Sequence, residues 1–281
     1  MVIQHNISAI DSYRNMSKNT SALNKNLEKL SSGYKINKAG DDAAGLAISE
    51  SMRNKINALD QAEANANDAI GLIQTAEGAL TETHAMLERM TTLATQAANG
   101  TYSTAGDTNA GPSASLTARN NIQLEINELA EEITRIATST DYNGINILTN
   151  TATKTFQIGP SSGETLRLNG GNMTASNLQV NNLKMSTVQQ ANSAITKIKT
   201  AVESVSQYRA QLGAKQNRLE HTINNLKVAN ENTTAAESRI RDTDMAKEIS
   251  AYTKNNILNQ AAQSMLAQAN QSPQGVLSLL G

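Results

Sequence analysis

The sequence places an apolar or small residue at every seventh position along two long stretches. The first stretch is Met52, Leu59, Ala66, Ile73, Leu80, Leu87, Ala94, and the second is Ala191, Ile198, Val205, Leu212, Leu219, Leu226, Thr233, Ile240. A repeat sustained over this length keeps one stripe facing a partner helix only if the helices wind around each other. Both stretches therefore predict left-handed coiled-coil rods, roughly 65 and 75 Å long at about 1.5 Å per residue. Two rods of similar length at opposite ends of one chain are expected to pair antiparallel.

The composition argues against a single compact enzyme core. Seven of the 281 residues are aromatic, six Tyr and Phe156, and Trp is absent. The large side chains that usually fill globular cores are therefore scarce, and Ala, Leu and Ile in stripes supply most of the hydrophobicity. We expect a mainly α-helical, elongated molecule with a thin core.

Charge and cysteine content exclude several classes of partner and chemistry. The chain has 24 basic and 25 acidic residues, so its net charge of −1 gives no electrostatic footprint for nucleic acid or an anionic membrane. Because cysteine is absent, disulfides and thiolate chemistry are impossible. The amino terminus lacks the basic flank and apolar segment of a secretory signal peptide, and no apolar run is long enough to span a membrane.

Further patterns place shorter elements around the two rods. The prolines at 112, 160 and 273 lie outside both rods and are interpreted as breaks. Phe156 and Ile158 alternate against Leu166 and Leu168 across a turn, which predicts a small β-hairpin. In chain order we predict a helix ending at Gly33, a rod over about 46–98, a loop over 101–115, a helix carrying Ile122 to Ile136, the hairpin, a rod over about 188–240 and a helix over about 245–270.

Motifs near both ends resemble those of bacterial flagellin. The amino-terminal motifs are Leu30-Ser-Ser-Gly33, Ile36-Asn37 and Asp41-Asp-Ala-Ala-Gly-Leu-Ala-Ile48. Further motifs follow in the family's order: Ala98-Asn-Gly-Thr101, Asp141-Tyr-Asn-Gly144, Phe156-Gln-Ile-Gly159, Arg239-Ile-Arg-Asp-Thr-Asp-Met-Ala-Lys-Glu248 and Gln268-Ala-Asn-Gln271 with Leu277 and Leu280. Several long motifs in fixed order over roughly the whole chain make chance agreement improbable.

The resemblance implies a subunit of the flagellar filament, extracellular and built in layers. We expect an inner-layer helix and turn over 1–45, half of a rod domain over 46–148, a hairpin and short connection over 149–187, a rod helix over 188–241 and a second inner-layer helix over 242–281. Only about residues 149–187 separate the helical halves, so this is a short form without large outer domains, and a smooth filament is expected. The loop over 101–115 is longer than the family pattern, and its conformation stays open.

The two ends of the chain carry apolar stripes that no partner within a single terminal helix can cover. A short amphipathic helix is marginal alone in water, so we expect the ends to order when neighbouring subunits cover them. An interface that repeats without closing gives a helical filament. The candidate self-assembly residues are Ile3, Ile7, Ile10, Leu23, Leu27, Leu30, Met265, Leu266, Val276, Leu277 and Leu280.

Catalytic chemistry is not indicated, and we expect no enzyme activity, cofactor or metal. His5, His84 and His221 lack the His-Glu-x-x-His spacing of a zinc protease. The acidic pairs Asp41-Asp42 and Asp242/Asp244 have no nucleophile or complete ligand set beside them, so we interpret them as helix caps or salt-bridge partners. The glycines near residue 40 are not followed by the Gly-Lys-Ser/Thr of a phosphate-binding loop.

The resemblance also implies recognition by a Toll-like receptor of animal innate immunity. By motif match the recognition residues are Arg89, Leu93 and Gln96 on the first rod and Glu125 on the second helix. Thr91 and Thr92 replace the charged pair usual between that Arg and Leu, so weaker recognition is expected. The alternative is that Arg89 and Glu125 serve subunit contacts only.

Two other classes of structural protein are also compatible with the sequence. A coiled-coil signalling shaft shares the long heptads but would normally carry a membrane span or a tip between equal arms, and a hook-filament junction protein shares the apolar ends. The Asp-Asp-Ala-Ala-Gly and Arg-Asp-Thr-Asp-Met motifs are more similar to the filament subunit. For that subunit the resemblance implies export by the flagellar type III system, with an export chaperone on the carboxy-terminal helix and contacts with filament cap and hook-junction proteins.

Overall fold

The computed structural model describes residues 6–100 and 115–280, and the side chains of residues 118–271 within the second range. In these residues the chain forms five helices and one two-stranded antiparallel sheet. The elements are α1 (Ile7–Ser32), α2 (Ala43–Ala98), α3 (Ser115–Ser139), β1 (Thr153–Gln157), β2 (Thr165–Asn169), α4 (Val188–Arg241) and α5 (Met245–Leu280). The chain divides into two compact units: unit 1 comprises residues 1–57 and 230–281, and unit 2 comprises residues 58–229.

The heptad prediction is confirmed by burial in unit 2. The facing buried positions are spaced by three, four or, once, seven residues, as those of paired helices are, and Leu72 and Leu93 are buried outside this row. On α2 they are Leu59, Ala62, Ala66, Ala69, Ile73, Ala76, Leu80, Thr83, Leu87, Met90, Ala94 and Ala97. On α4 they are Ala191, Ala194, Ile198, Ala201, Val205, Tyr208, Leu212, Leu219, Ile223 and Leu226. The predicted repeat positions in unit 1, Met52, Thr233 and Ile240, are only partly buried.

Ion pairs show that α2 and α4 run antiparallel in unit 2. Glu63 lies 3.4 Å from Lys227, whereas Glu77, two heptads further along α2, lies 3.7 Å from Arg209 on α4. As residue numbers rise along α2, the numbers of the paired residues on α4 fall. The antiparallel pairing expected from the sequence is confirmed.

Helix α3 packs antiparallel against α2 within the same unit. Its apolar stripe of Ile122, Ile126, Ala130, Ile133 and Ala137 is buried in the unit 2 core. Just beyond the carboxyl end of α3, the aromatic ring of Tyr142 approaches α2 closely. A Cβ added at Gly71 would lie 3.2 Å from the phenolic oxygen. Glycine at position 71 therefore permits this helix contact without displacing the ring.

The predicted hairpin is confirmed and closes one part of the unit 2 core. Phe156 pairs with Leu166, whereas Leu168 pairs with Lys154 and not with Ile158, which lies just beyond β1. Leu166 and Leu168 are buried, and the Tyr208 hydroxyl donates to the Asn169 carbonyl at 3.1 Å. The sheet is therefore tied to α4 by a hydrogen bond as well as by apolar contact.

The segment between β2 and α4 contributes more core than its irregular sequence indicates. Its buried side chains are Met173, Ala175, Leu178, Val180, Leu183 and Met185. Gln123 on α3 holds this segment at its backbone, since its amide nitrogen donates to Leu183 O at 2.7 Å and its amide oxygen accepts from Met185 N at 2.8 Å. The segment is a packed part of unit 2 although it forms no regular element.

The helix ends follow the capping rules. Gly33 ends α1 with φ of 75°, and its N–H donates to Lys29 O, which confirms the predicted stop. The Asp42 carboxylate accepts from Gly45 N at 2.9 Å before α2, and Asp244 accepts from Lys247 N at 3.1 Å before α5. The interpretation of the acidic pairs as caps is therefore confirmed at Asp42 and Asp244.

Two predicted boundaries are wrong. Ser115 begins α3 rather than ending the preceding loop, while the rest of that loop, 101–114, lies outside the described residues. Helix α5 does not end near Asn270 but continues to Leu280 through Pro273. A proline removes one backbone donor and strains the turn before it, yet that cost need not end a helix of this length.

Candidate assembly and recognition surfaces

Helices α1 and α5 pair antiparallel in unit 1 through a seam that mixes apolar and polar residues. Asn6 Nδ2 donates to Ala269 O at 2.8 Å, and Asn259 Nδ2 donates to Thr20 Oγ1 at 2.9 Å. The side chains turned toward the partner helix alternate at spacings of three and four: Ala9, Ser12, Met16, Asn19, Leu23, Asn26 and Leu30 on α1, and Glu248, Tyr252, Asn255, Asn259, Ala262, Leu266 and Ala269 on α5. The spacing is that of unit 2, but four asparagines, a serine and a glutamate interrupt the apolar residues.

Asn26 occupies the most enclosed position of the seam. Only 8% of its surface is exposed, and it is the one fully buried residue in the described length of α1. Its amide nitrogen donates to Ala22 O at 2.8 Å, while its oxygen accepts from Tyr252 N at 3.0 Å and from Asn255 Nδ2 at 3.3 Å. A buried amide with these partners fixes one register of the two helices, since a shift would leave it unsatisfied.

Large apolar side chains lie on the outside of the same helix pair. They are 41–66% exposed: Ile7, Ile10, Tyr13 and Leu27 on α1, and Met245, Ile249, Ile257, Leu258 and Met265 on α5. In the described part of unit 1, Ile36 is the only buried hydrophobic residue. Exposed apolar surface of this extent is typical of a protein-protein contact. We call these nine residues the outer apolar face.

The structure separates the predicted self-assembly residues into two groups. Ile7, Ile10, Leu27 and Met265 lie on the outer apolar face, whereas Leu23, Leu30 and Leu266 are half-buried in the seam. Ile3 and the side chains of Val276, Leu277 and Leu280 lie outside the described residues.

Sequence reasoning missed Tyr13, Met245, Ile249, Ile257 and Leu258 on this face. These residues do not form one narrow apolar stripe at helical spacing, which is the pattern that indicates an amphipathic face. The available signal was instead the opposite face, where Asn19, Asn26, Asn255 and Asn259 recur at seam positions.

A charged cluster around Tyr34 joins the turn that follows α1 to the end of α4 in unit 1. The Arg241 guanidinium carbon lies 4.5 Å from the Tyr34 ring centroid, and Arg53 lies 5.9 Å from it on α2. Arg241 also pairs with Glu50 at 2.8 Å, and Lys35 N donates to Arg241 O at 2.7 Å. Cation-π contact and backbone pairing thus hold the turn after α1 against the end of α4. No sequence pattern pointed to this cluster.

The turn before α2 is stabilised by ionised carboxylates. The pKa of the Asp41 carboxyl is lowered, mainly because the Lys38 backbone N–H donates to it at 3.2 Å, with the Asn37 N–H adding to the effect. Glu28 accepts from the Lys38 ammonium at 2.6 Å and raises the pKa of that lysine. These contacts support a structural role for the Asp-Asp pair.

The candidate receptor residues occupy different environments in unit 2. Arg89 Nη2 lies 2.7 Å from Glu125 Oε1, so α2 and α3 share an exposed ion pair. Gln96 is exposed, but Leu93 is 2% exposed and lies in the core. The Leu93 side chain offers no surface to a partner in this conformation, and its contact with a receptor stays a prediction.

The described residues offer no constellation for metal chemistry. No group of three or more His, Asp or Glu side chains within the described ranges could hold a metal ion. His84 lies 3.3 Å from Glu88, one turn further along α2, and these two side chains alone are too few to form such a group. Where the structure describes the chain, none of its helices has an apolar segment of the length that a bilayer crossing requires.

Comparisons with known proteins agree with these features. Residues 3–153 match the family model of the bacterial flagellin N-terminal helical region, and residues 195–280 match that of the C-terminal helical region. The chain is 48% identical over 315 residues to the flagellin of Bacillus subtilis and 45% identical over 297 residues to a flagellar filament 33 kDa core protein of Treponema phagedenis, with all of both chains covered in each case.

A solved structure from Vibrio parahaemolyticus, described as a putative flagellar hook-associated protein, shares the fold with a TM-score of 0.58. It is 12% identical and covers 72% of this chain and 100% of its own. The two family models and the full-length relatives show that the chain belongs to the bacterial flagellin family, structural proteins that form the extracellular flagellar filament.

Proposed function

We propose that the outer apolar face of α1 and α5 is the surface through which this subunit polymerises. The observation that carries the proposal is the distribution of side chains in unit 1, with four asparagines in the seam and four isoleucines outside. Fully burying one large aliphatic side chain is worth about 1.5–3 kcal/mol. Neighbouring subunits that cover the nine residues of the outer apolar face therefore supply a free energy that the seam alone cannot.

The same distribution couples folding of the termini to assembly. A helix pair with asparagines in its seam gains less from hydrophobic burial than one with an apolar seam, and isolated helices are marginal in water. The terminal helices order as neighbours cover their outer faces, so folding of the ends and growth of the polymer are one process. Deleting residues 272–281 should leave a helical monomer that forms no filaments.

The critical concentration for polymerisation tests the outer apolar face. Replacing Ile10 and Ile257 by serine removes apolar area and should raise the critical concentration at least tenfold, since about 1.4 kcal/mol corresponds to a factor of ten. The matched control, Lys18→Ser with Gln260→Ser, shortens exposed polar side chains on the same helices and should leave it near the wild-type value. Equal critical concentrations for both double variants would contradict the proposal.

We further propose that partners of the export and assembly pathway use the ends of the chain. Before polymerisation the outer apolar face of α5 needs cover, which a chaperone of the flagellar type III export system would provide. The filament cap and hook-junction proteins would contact the same helices at the two ends of the polymer. Protection of residues 245–271 from amide hydrogen exchange by the purified chaperone is the expected result, and unchanged exchange there would count against it.

For innate-immune recognition we propose a surface made of Arg89, Gln96 and Glu125, with Leu93 supporting α2 from the core. Support comes from the exposure of the three polar side chains and the proximity of Arg89 to Glu125. Arg89→Asp and Glu125→Ala should each weaken binding of the monomer to the Toll-like receptor ectodomain. Glu82→Ala, an exposed change elsewhere on α2, is the control, and equal binding by all four proteins would leave Arg89 and Glu125 with a role in subunit contacts only.

A further inference from the structure

Unit 2 divides its charge between two halves of the sequence. Residues 58–141 contain twelve acidic and three basic residues, whereas residues 142–229 contain three acidic and nine basic residues. The whole chain is nearly neutral, so this asymmetry cancels in its net charge. The acidic half supplies α3 and most of α2, and the basic half supplies the hairpin, the following segment and most of α4.

The acidic half presents an unpartnered face on α3. Leu124 is 62% exposed, and Glu128 and Glu131 are exposed beside it, on the side opposite the buried Ile126 and Ile133. Neither carboxylate forms an ion pair with any residue in the described ranges, whereas Glu125 and Glu132 pair with arginines. This face combines one large apolar side chain with two free negative charges.

The basic half contains a groove that is chemically complementary to this face. Lys184 and Lys197 line a groove of about 190 Å³ together with the polar side chains of Asn182, Gln190 and Ser193. No carboxylate lines it, and the sequence has none between Glu164 and Glu203. Neither lysine forms an ion pair within the part of the chain that the structure describes. Leu183 and Ala194 give its floor an apolar component.

We propose that the acidic face of α3 in one subunit docks onto the Lys184–Lys197 groove of a second copy of this chain. The proposal rests on the filament function and adds to it a specific contact between units 2 of neighbouring subunits. Opposite charges at an interface fix its register and speed association. A contact of α3 with α3 would oppose like charges, so the charge distribution disfavours that pairing, whereas a contact between two different surfaces of the subunit can repeat along a polymer.

Cross-linking can test the contact directly because the chain has no cysteine. Glu131→Cys and Lys184→Cys are made as separate single variants and copolymerised, and the filaments are treated with a short bis-maleimide. Cross-linked dimers are expected only in the mixture of the two variants. Dimers formed as readily by filaments of Glu131→Cys alone would overturn the proposal, as would a mixture that yields none.

Charge exchange provides a second, functional test. Glu128→Lys with Glu131→Lys, and Lys184→Glu with Lys197→Glu, should each raise the critical concentration at least tenfold, and the quadruple variant should recover most of that loss. Lys215→Glu with Arg218→Glu changes the net charge as much as the lysine pair does and should polymerise normally. A quadruple variant no better than either double, or a control as impaired, overturns the proposal.

The outcomes separate this contact from the filament function itself. Circular dichroism of the monomers verifies that each variant retains its helices. If the wild-type chain polymerises while every charge variant behaves like it, the docking contact is wrong and the filament function stands. A failure of the wild-type chain to polymerise would instead contradict the proposed function.

Discussion

Units 1 and 2 use the same three-and-four spacing of inward positions with different polarity. In unit 2 most inward positions carry Leu, Ile or Ala, and the main core is shared by α2, α3 and α4. In unit 1 the inward positions of α1 and α5 mix Asn, Ser and Glu with Leu, Met and Ala, while four isoleucines lie outside. The spacing identifies the face on which two helices meet within the chain. The polarity of that face shows whether the pair can be stable without further partners.

The comparison has a direct consequence for stability within the monomer. Unit 2 buries apolar side chains on every helix and should open only in global unfolding. Unit 1, with one buried hydrophobic residue among those described, should open at a much smaller free energy. Amide hydrogens of α1 and α5 are therefore expected to exchange before those of α3.

The largest expected effect comes from a cavity in unit 2. Leu80 is fully buried in the main core, so Leu80→Ala should lower the free energy of unfolding of the monomer by about 2–5 kcal/mol. Ile257→Ala deletes the same amount of side-chain carbon from α5, yet it should change that free energy by less than about 0.5 kcal/mol because the residue is exposed. Urea titration followed by circular dichroism measures both. Equal losses would break the distinction between the two units.

The sequence predicted unit 2 better than unit 1 for a physical reason. From Leu59 to Ala97 the repeat of apolar residues marks the packed face itself, and Gly33 and Asp42 mark helix ends by their local chemistry. In α1 the apolar spacing of Leu23, Leu27 and Leu30 is helical but does not coincide with the seam, which takes Leu23 and Leu30 and leaves Leu27 outside. A helical period alone cannot say which stripe faces inward.

Two further features were beyond sequence patterns because they depend on distant contacts. The segment from Met173 to Met185 lacks a helical or strand period, and its burial follows from hydrogen bonds with Gln123. Tyr34 and Arg241 are more than 200 positions apart and meet only because α1 and α4 end close together within unit 1. Neither contact produces a periodic pattern in the sequence.

A second prediction uses the buried hydroxyl of unit 2. Burial raises the pKa of Tyr208 to about 12, against about 10 in an unfolded chain. The folded state thus favours the neutral phenol, and the associated stability is present below pH 10 and is lost as the pH rises toward 12. Tyr208→Phe should flatten the dependence of the unfolding free energy on pH between 10 and 12.

The same substitution has a separable cost and a matched control. Removing the hydrogen bond to Asn169 O should lower the unfolding free energy by about 1 kcal/mol at pH 8. Tyr13→Phe changes an exposed tyrosine of unit 1 and should leave the wild-type pH dependence intact. Urea titrations of the three monomers from pH 8 to 12 decide the matter, and parallel curves for all of them would show that Tyr208 is not the group responsible.

The smallest expected effect reverses the polarity of the seam at one position. In Asn26→Leu the new side chain lies between Leu23 and Leu30, where burying a leucine is worth about 1.5–3 kcal/mol, less about 1 kcal/mol for each hydrogen bond given up. Three hydrogen bonds end at the Asn26 amide, so the balance lies between about zero and a loss of about 1.5 kcal/mol, and amide exchange over residues 7–32 of the monomer should be unchanged or slightly faster. The register that these contacts specify is lost, so filaments should form less readily. Asn24→Leu, an exposed change on the same helix, should leave both exchange and filament formation unchanged. Filaments that form as readily from Asn26→Leu as from the wild type would show that the Asn26 contacts do not set the register of the seam.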